Sequence, residues 1–443
     1  MKYLQTNNKS IKDIAATFFN QACRLISGPL MLLLIPLYLT EEQQGYWYLF
    51  GSVAALSTFA DLGFSNIILQ FSAHEYASLK NGNEGLLEGQ PENIKKMGSF
   101  LRFVIGWLSA ICSIVYPIIF IVGIYFLVRD KVLSIYIVPW IIYSIGSLIN
   151  FFNNSILSFL EGMNQIAKIQ KSRLMVSFLN TLLIVLGLML HLKVITISIA
   201  MFLSSSFMFF TIFKTFGKIV KQMWCESRNF NYPWKQEILP LFKKYILSFA
   251  SGYFLFQIYT PLMHLFHGAE YSGKVGITMS LVNAAFSFGN IFIYTITPQI
   301  NILVEKKDWG ALDRLFKKRL LFSLVTYVFI WGCFGFFVYL FGEISLINKI
   351  LSRFLAYRGI AILAICYFFQ LLINSWAIYL RGHKQEPYWL TGIFAAIWVF
   401  LVTLIVGRVL SPDLFFIGLL SQYIWGLPVS YIIYKKDQKR WHL

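Results

Sequence analysis

Long uninterrupted apolar runs, separated by short polar connections, organise this chain from end to end. They lie at approximately 14–39, 46–72, 98–127, 135–160, 174–192, 194–216, 243–266, 276–302, 319–341, 358–380, 388–408 and 413–434. A helix needs roughly 20 mainly apolar residues to cross the ~30 Å hydrocarbon core of a bilayer, and each run supplies about that many. Strands of a membrane barrel would read polar at every second residue, and these runs do not. Lipid-exposed backbone must satisfy its own hydrogen bonds, which leaves helices. The pattern predicts an all-α membrane protein of about 12 transmembrane helices with little mass outside the membrane.

The longest internal polar connection, 217–240, divides the runs six and six, giving a lobe over 1–216, a linker, and a second lobe over 241–443. Two local matches say that the halves are repeats. Glu42-Gln43-Gln44-Gly45 stands at the start of the second run and Glu270-Tyr271-Ser272-Gly273 before the eighth. Leu160-Glu161-Gly162-Met163-Asn164-Gln165 follows the fourth run and Leu380-Arg381-Gly382-His383-Lys384-Gln385 the tenth. The offsets, 228 and 220, describe one register with small insertions. An even number of spans per half gives both halves the same orientation, a parallel repeat with a substrate path expected between them. The expected architecture is two pseudo-symmetric six-helix lobes around a central cavity.

Composition agrees, with 57% hydrophobic and only 13% charged residues. The net charge of +18 would suit nucleic acid, but its placement argues for topology instead. Of the 38 basic residues, 28 fall on one set of alternate loops and 8 on the other. Basic loops stay in the cytoplasm, so both termini and the linker are expected there. No nucleic-acid partner is implied. Some attraction to anionic lipid heads is. The first run is too long for a signal h-region and lacks a cleavage site. Five cysteines, four of them in spans, suggest neither a disulfide framework nor a zinc site.

Charge inside a bilayer costs roughly 3 kcal/mol or more, so each instance needs a reason. Arg24 in the first run and Asp61 in the second lie at similar depth on neighbouring spans. They form either a structural ion pair or a substrate site in which Asp61 orients Arg24 towards a phosphate or carboxylate. Arg102, near the start of the third run, is expected to snorkel to the interface. The eighth run carries Ser280, Asn283, Ser287, Asn290, Tyr294 and Thr297 at alternating steps of three and four, which keeps them on one helix face. Such residues either permit close helix packing or line a wetted path. Gln257, Gln370 and Asn374 add amide groups to the same half. Neutral donors and acceptors in a line, with rings nearby, suit a sugar.

Enzyme chemistry finds no foothold. There is no phosphate-binding glycine loop after a strand, and the longest loop expected outside, Gly342 to Tyr357, carries the single acid Glu343. His264, His267 and Glu270 have a spacing that metals accept, but the string runs off the end of its helix and interfacial histidines account for it. No cofactor is implied.

Arg24, Pro36-Leu37-Tyr38-Leu39, Gly45-Tyr46-Trp47, Asp61-Leu62-Gly63-Phe64 and Leu160-Glu161-Gly162, set on this plan, resemble the polysaccharide repeat-unit (O-antigen) flippases. These belong to the multidrug/oligosaccharidyl-lipid/polysaccharide exporter superfamily, and the resemblance covers the whole length. It implies alternating-access transfer of an undecaprenyl-diphosphate-linked oligosaccharide, an O-antigen or capsule repeat unit, from the cytoplasmic to the periplasmic leaflet of a bacterial inner membrane. It also implies a polysaccharide polymerase and a chain-length regulator as partners, and H+ or Na+ as a coupling ion. Substrate contacts are then expected from Arg24, Asp61, Gln257, Ser280, Asn283, Ser287, Asn290, Tyr294, Gln370 and Asn374. The alternatives are a drug/cation antiporter of the same superfamily, and a membrane glycosyltransferase or polymerase.

Overall fold

The computed structural model describes residues 28–82, 86–383 and 388–442. Helices dominate: α1 (Gly28–Tyr38), α2 (Glu41–Ala54), α3 (Thr58–Asp61), α4 (Phe64–Tyr76), α5 (Pro91–Arg129), α6 (Leu133–Gly162), α7 (Ile166–Met189) and α8 (Ile195–Glu226). They continue with α9 (Trp234–Phe256), α10 (Tyr259–Tyr294), α11 (Thr297–Glu305), α12 (Trp309–Phe341), α13 (Ser345–Leu351), α14 (Tyr357–Arg381), α15 (Trp389–Val409) and α16 (Ile417–Trp441). A small antiparallel hairpin, Lys80–Asn81 with Leu87–Glu88, sits between α4 and α5. The amide of Gln222 on α8 bonds both N and O of Leu87, at 2.7 and 3.1 Å, and so fixes the hairpin to α8.

Among the described residues, nine helices are long and apolar enough to cross a membrane, or ten when one bent pair counts as a single span. The difference from twelve has local causes. The first span is described only from Gly28. The second is bent by 46° between Asp61 and Phe64, where Leu62 (φ 40) and Gly63 (φ 81) take left-handed conformations. The seventh is divided at Gln257–Ile258, between α9 and α10. Gly268, at φ 82, then turns the chain from the seventh span into the eighth inside α10. The apolar faces point outward as a lipid-facing belt requires: Leu321, Val325, Val328, Phe329 and Phe336 of α12 are all exposed. The polar connection 217–240 is mostly helical, because α8 runs on to Glu226 and α9 begins at Trp234.

The chain forms two compact units. Within the described residues, unit 1 is Val53–Ala250, while unit 2 is Gly28–Ser52 together with Ser251–Leu443. Unit 1 is centred on α6, which packs along α4, α5 and α8. Trp234, the first residue of α9, is buried against Phe71 and Phe100 and donates its indole N–H to Ser99 Oγ at 3.1 Å. Arg102 bonds Ser227 Oγ at 3.0 Å and the carbonyl of Trp224, so it caps the end of α8. Unit 2 has one core around Tyr259, Met263, Leu363, Tyr367 and Leu371, joined by Leu32 of α1. A second core gathers Ile293, Phe316, Trp376 and Tyr434.

The second repeat match has equivalent surroundings in the two units. A Cβ on Gly162 would stand 2.6 Å from the carbonyl of Leu69 and 2.7 Å from Ser72. One on Gly382 would stand 2.7 Å from Ile300, which the 228-residue offset aligns with Ser72. Both glycines serve the close approach of two helices.

Candidate functional site

Arg24, the expected anion ligand, lies outside the described residues. Its expected neighbour Asp61 serves the bend in the second span. One carboxylate oxygen accepts from Gly63 N at 3.1 Å; the other accepts from Ser65 N at 3.1 Å and also from Ser65 Oγ. The turn frees these N–H groups from helical bonding, and a carboxylate at the start of α4 satisfies them with favourable charge.

The line on α10 and α11 is partly open and partly spent. Asn283, Ser287 and Tyr294 are exposed, Ser280 and Thr297 are half-buried, and Asn290 is buried. The hydroxyls of Ser280, Ser287 and Thr297 donate to carbonyls four residues back, at 2.9, 2.8 and 3.3 Å. This arrangement leaves their lone pairs as acceptors. Asn290 Oδ1 accepts from Asn374 Nδ2 at 3.1 Å, tying α10 to α14. Gln370 Oε1 accepts from Tyr423 Oη at 3.0 Å. Gln257 is exposed at the break between α9 and α10. The open set is therefore Asn283, Ser287, Tyr294 and Gln257, while Asn290, Asn374 and Gln370 brace helices. Asn374 Oδ1 remains an acceptor and Gln370 Nε2 a donor, both on half-buried side chains.

The histidine string is taken apart by the turn at Gly268. His264 is buried, with Nδ1 3.0 Å from Ser272 Oγ and its ring edge-on to Tyr46. His267 Nε2 stands 3.0 Å from the carbonyl of Gly407. Glu270 takes Lys274 at 2.7 Å. No group of three metal-ligating side chains occurs among the described residues.

Two further features stand one in each unit. Unit 1 has its own polar line, Asn150, Asn154 and Ser158 on α6, with Asn154 exposed. It ends at Glu161, ion-paired with Arg173 at 2.7 Å. The steps of four and three that put these residues on one face were visible in the sequence. The second feature joins the first repeat match to itself inside unit 2. Gln44 Nε2 donates to the carbonyls of Gly273 and Arg353 at 3.0 and 3.1 Å. A Cβ on Gly273 would stand 2.8 Å from Gly45 N, and one on Gly45 would collide with the carbonyl of Ala269. Lys274 bridges Glu270 at 2.7 Å and Glu41 at 3.5 Å.

No protein-family profile matches the chain, and no curated protein matches it in sequence. Solved structures do match in fold over nearly the whole length. One described as the inward-facing conformation of a multidrug resistance MATE family transporter of the MOP superfamily aligns with a TM-score of 0.62 at 13% identity. It covers 97% of this chain and 98% of that one. A MATE structure in the bent conformation aligns at 0.59 and 14%, covering 98% and 96%. A Vibrio cholerae MATE transporter aligns at 0.54 and 14%, covering 98% of each. The chain is an all-α, multi-pass membrane protein, and its fold is similar to that of the MATE transporters of the MOP superfamily.

Proposed function

We propose that this chain is a membrane carrier that moves a large amphipathic substrate by alternating access. The observation that carries this reading is full-length similarity in fold to MATE transporters, with coverage near complete on both sides. Non-enzymatic transport agrees with it.

For the substrate, the comparisons favour multidrug export over lipid-linked oligosaccharide transfer, because the similar structures carry the multidrug name. In this reading an amphipathic drug or cation leaves in exchange for H+ or Na+. A second reading, the O-antigen-type flippase, rests on this chain's own residues. Its open polar groups are uncharged amides and hydroxyls, Asn283, Ser287, Tyr294 and Gln257 in unit 2 and Asn154 in unit 1. Asp61 already has its carboxylate committed to the bend, which leaves less for binding a cation. In this reading Arg24 holds the diphosphate, and a polymerase and chain-length regulator receive the product.

The purified carrier in proteoliposomes separates the two. Multidrug export predicts cation-driven efflux of a fluorescent lipophilic cation, and no movement of undecaprenyl-diphosphate oligosaccharide between leaflets. Flipping predicts the reverse. Inactivity on both, in protein shown to be folded, would contradict the carrier reading as posed. The expected inner-membrane topology is checked by alkaline phosphatase fusions. A fusion after Lys221 should be inactive and one at Ser272 active; the opposite pattern would overturn the orientation.

A further inference from the structure

The polar line on α6 ends at an ion pair that the turn from α6 into α7 does not require. We infer that Glu161 and Arg173 form an anion-selecting site in unit 1. Arg173 exchanges Glu161 for the diphosphate head of an amphiphile, whose neutral polar part lies along Asn154 and Asn150. This site rests on the lipid-linked oligosaccharide reading above, and adds to it a place in unit 1 for the head and the sugars.

Arg173 Nη1 stands 2.7 Å from Glu161 Oε1, with the two side chains only 23% and 15% exposed. A pair withdrawn this far from water recovers little more than the cost of its desolvation, so stability alone does not account for it. Unit 2 makes the same turn without it. There the 220-residue offset puts Arg381 in the place of Glu161, and the stretch aligned with Arg173, at 393–396, reads Ile-Phe-Ala-Ala. The glycine of the crossing recurs as Gly382, but the acid and its partner do not.

Arg173 also has spare capacity. A guanidinium carries five N–H donors, and Glu161 is the one partner of Arg173 among the described residues. Its fork suits a phosphate. Lys168 and Lys171 are exposed on the same helix, so three cations stand against one carboxylate and the open place favours an anion. Beyond the pair the polar line continues into the membrane. Asn154 and Asn150 lie seven and eleven residues before Glu161, which at 1.5 Å per residue puts them about 10 and 16 Å along α6. Asn154 is exposed and Asn150 half-buried, and neither side-chain amide has a partner among the described residues. A bare amide against hydrocarbon is costly, so this face is wetted or covered by a polar ligand. Amides match sugar hydroxyls, since each supplies donors and acceptors.

Binding of farnesyl diphosphate to the purified full-length carrier tests the site, with Kd read by titrating tryptophan fluorescence and folding certified by monodisperse elution. The site predicts binding of farnesyl diphosphate and none of farnesol. Arg173→Gln should weaken it about tenfold, and Arg173→Lys, which keeps the charge without the fork, should lose less. Glu161→Gln should tighten binding about threefold, because the competing carboxylate is gone. Glu161→Gln leaves Arg173 in place, so it decides the matter if Arg173→Gln does not fold. A loss in Arg173→Gln without a gain in Glu161→Gln would mark a structural pair and overturn the exchange. Competition by phosphatidylglycerol as strong as that by farnesyl diphosphate would overturn the diphosphate assignment in favour of a general anionic-lipid surface. Equal competition by inorganic diphosphate would overturn the amphiphile. Farnesyl diphosphate that binds with the same Kd in every folded variant would sink this site and leave the lipid-linked reading standing. Absence of binding in all of them, Glu161→Gln included, would sink both.

Discussion

The helix crossing at Gly162 in unit 1 and the one at Gly45 in unit 2 use the same device with opposite finish. At Gly162 the approach to α4 is sealed: Ser72 is fully buried and donates to the carbonyl of Phe159 at 2.6 Å. At Gly45 the approach leaves Gln44 Oε1 and Arg353 Nη1 without partners and is clasped at its rim by ions. Small residues alone therefore do not say whether a contact is permanent. The completeness of hydrogen bonding around them does, since an unpaired buried polar atom takes about 1–3 kcal/mol from the closed state.

The largest effect should come from Gly162→Ala. A methyl group 2.6 Å from a backbone carbonyl cannot be absorbed by a rotamer change, and overpacking of this kind costs about 1–3 kcal/mol. We expect a lower melting temperature and reduced membrane yield. Gly45→Ala also places its methyl against a backbone carbonyl, that of Ala269, and should lower stability by less than Gly162→Ala while raising accessibility at the crossing. If Gly162→Ala were silent and Gly45→Ala abolished folding, the comparison would be inverted.

Asp61 gives the next effect. Asp61→Ala should cost about 0.5–2 kcal/mol by uncapping the start of α4, whereas Asp61→Asn should retain most of the stability because Asn caps as well as Asp. Thermal melts decide this. A loss with Asn as large as with Ala would mean that the charge matters more than the cap.

The polar line of unit 2 can be sharpened by labelling. Cysteines at Asn283 and Ser287 should react with a water-borne thiol reagent if the line faces a wetted path, and a cysteine at Asn290 should react far more slowly, being buried against Asn374. Equal reactivity at the three positions would contradict the division between open and bracing residues.

The spans were legible because a run of about 20 apolar residues has one outcome in lipid, whatever surrounds it. The expected duplication rests on two short matches; of the glycines in the second, Gly162 approaches the backbone at Leu69 and Gly382 the side chain of Ile300. The bend in the second span was not read, since it depends on Leu62 adopting φ 40, which an apolar residue rarely does. A signal was present nonetheless: Asp61, Gly63 and Ser65 have the spacing of a side chain capping a new helix start. Depth in the membrane points Asp61 towards Arg24, whereas its spacing to Gly63 and Ser65 points to the cap. The membership of Gly28–Ser52 in unit 2 could not be read at all, because it depends on contacts hundreds of residues away. The spacing of Asn150 and Asn154 on α6 carries the same one-face signal as the longer line on α10.

A smaller effect concerns the far end of unit 2. His442 stacks on Trp309 with centroids 4.4 Å apart, and His383 on Trp441 at 4.5 Å. Burial pushes the pKa of both imidazoles below the ordinary 6.5, and for His383 the neighbouring His442 adds to it. The folded state therefore favours the neutral rings, and the unfolded chain binds more protons as pH falls through about 6.5. The stacked end should be firm at neutral pH and loosen below that value, seen as faster amide exchange around Trp441. Unchanged exchange between pH 7.5 and 5.5 would contradict it.

The carrier reading requires motion, and the comparison assigns it to the crossing of Thr40–Tyr48 on Ala269–Gly276, the seam at Gly45, and not to the crossing at Gly162. Spin labels at Glu42 and Ser352, both exposed and on opposite sides of the seam, and at His74 and Asn164 across the unit 1 crossing, measure the two directly in liposomes. We predict two distance populations for the Glu42/Ser352 pair, shifting in proportion when Lys274→Gln is introduced, and one unchanging distance for His74/Asn164. A single, variant-independent distance at the seam would contradict the account.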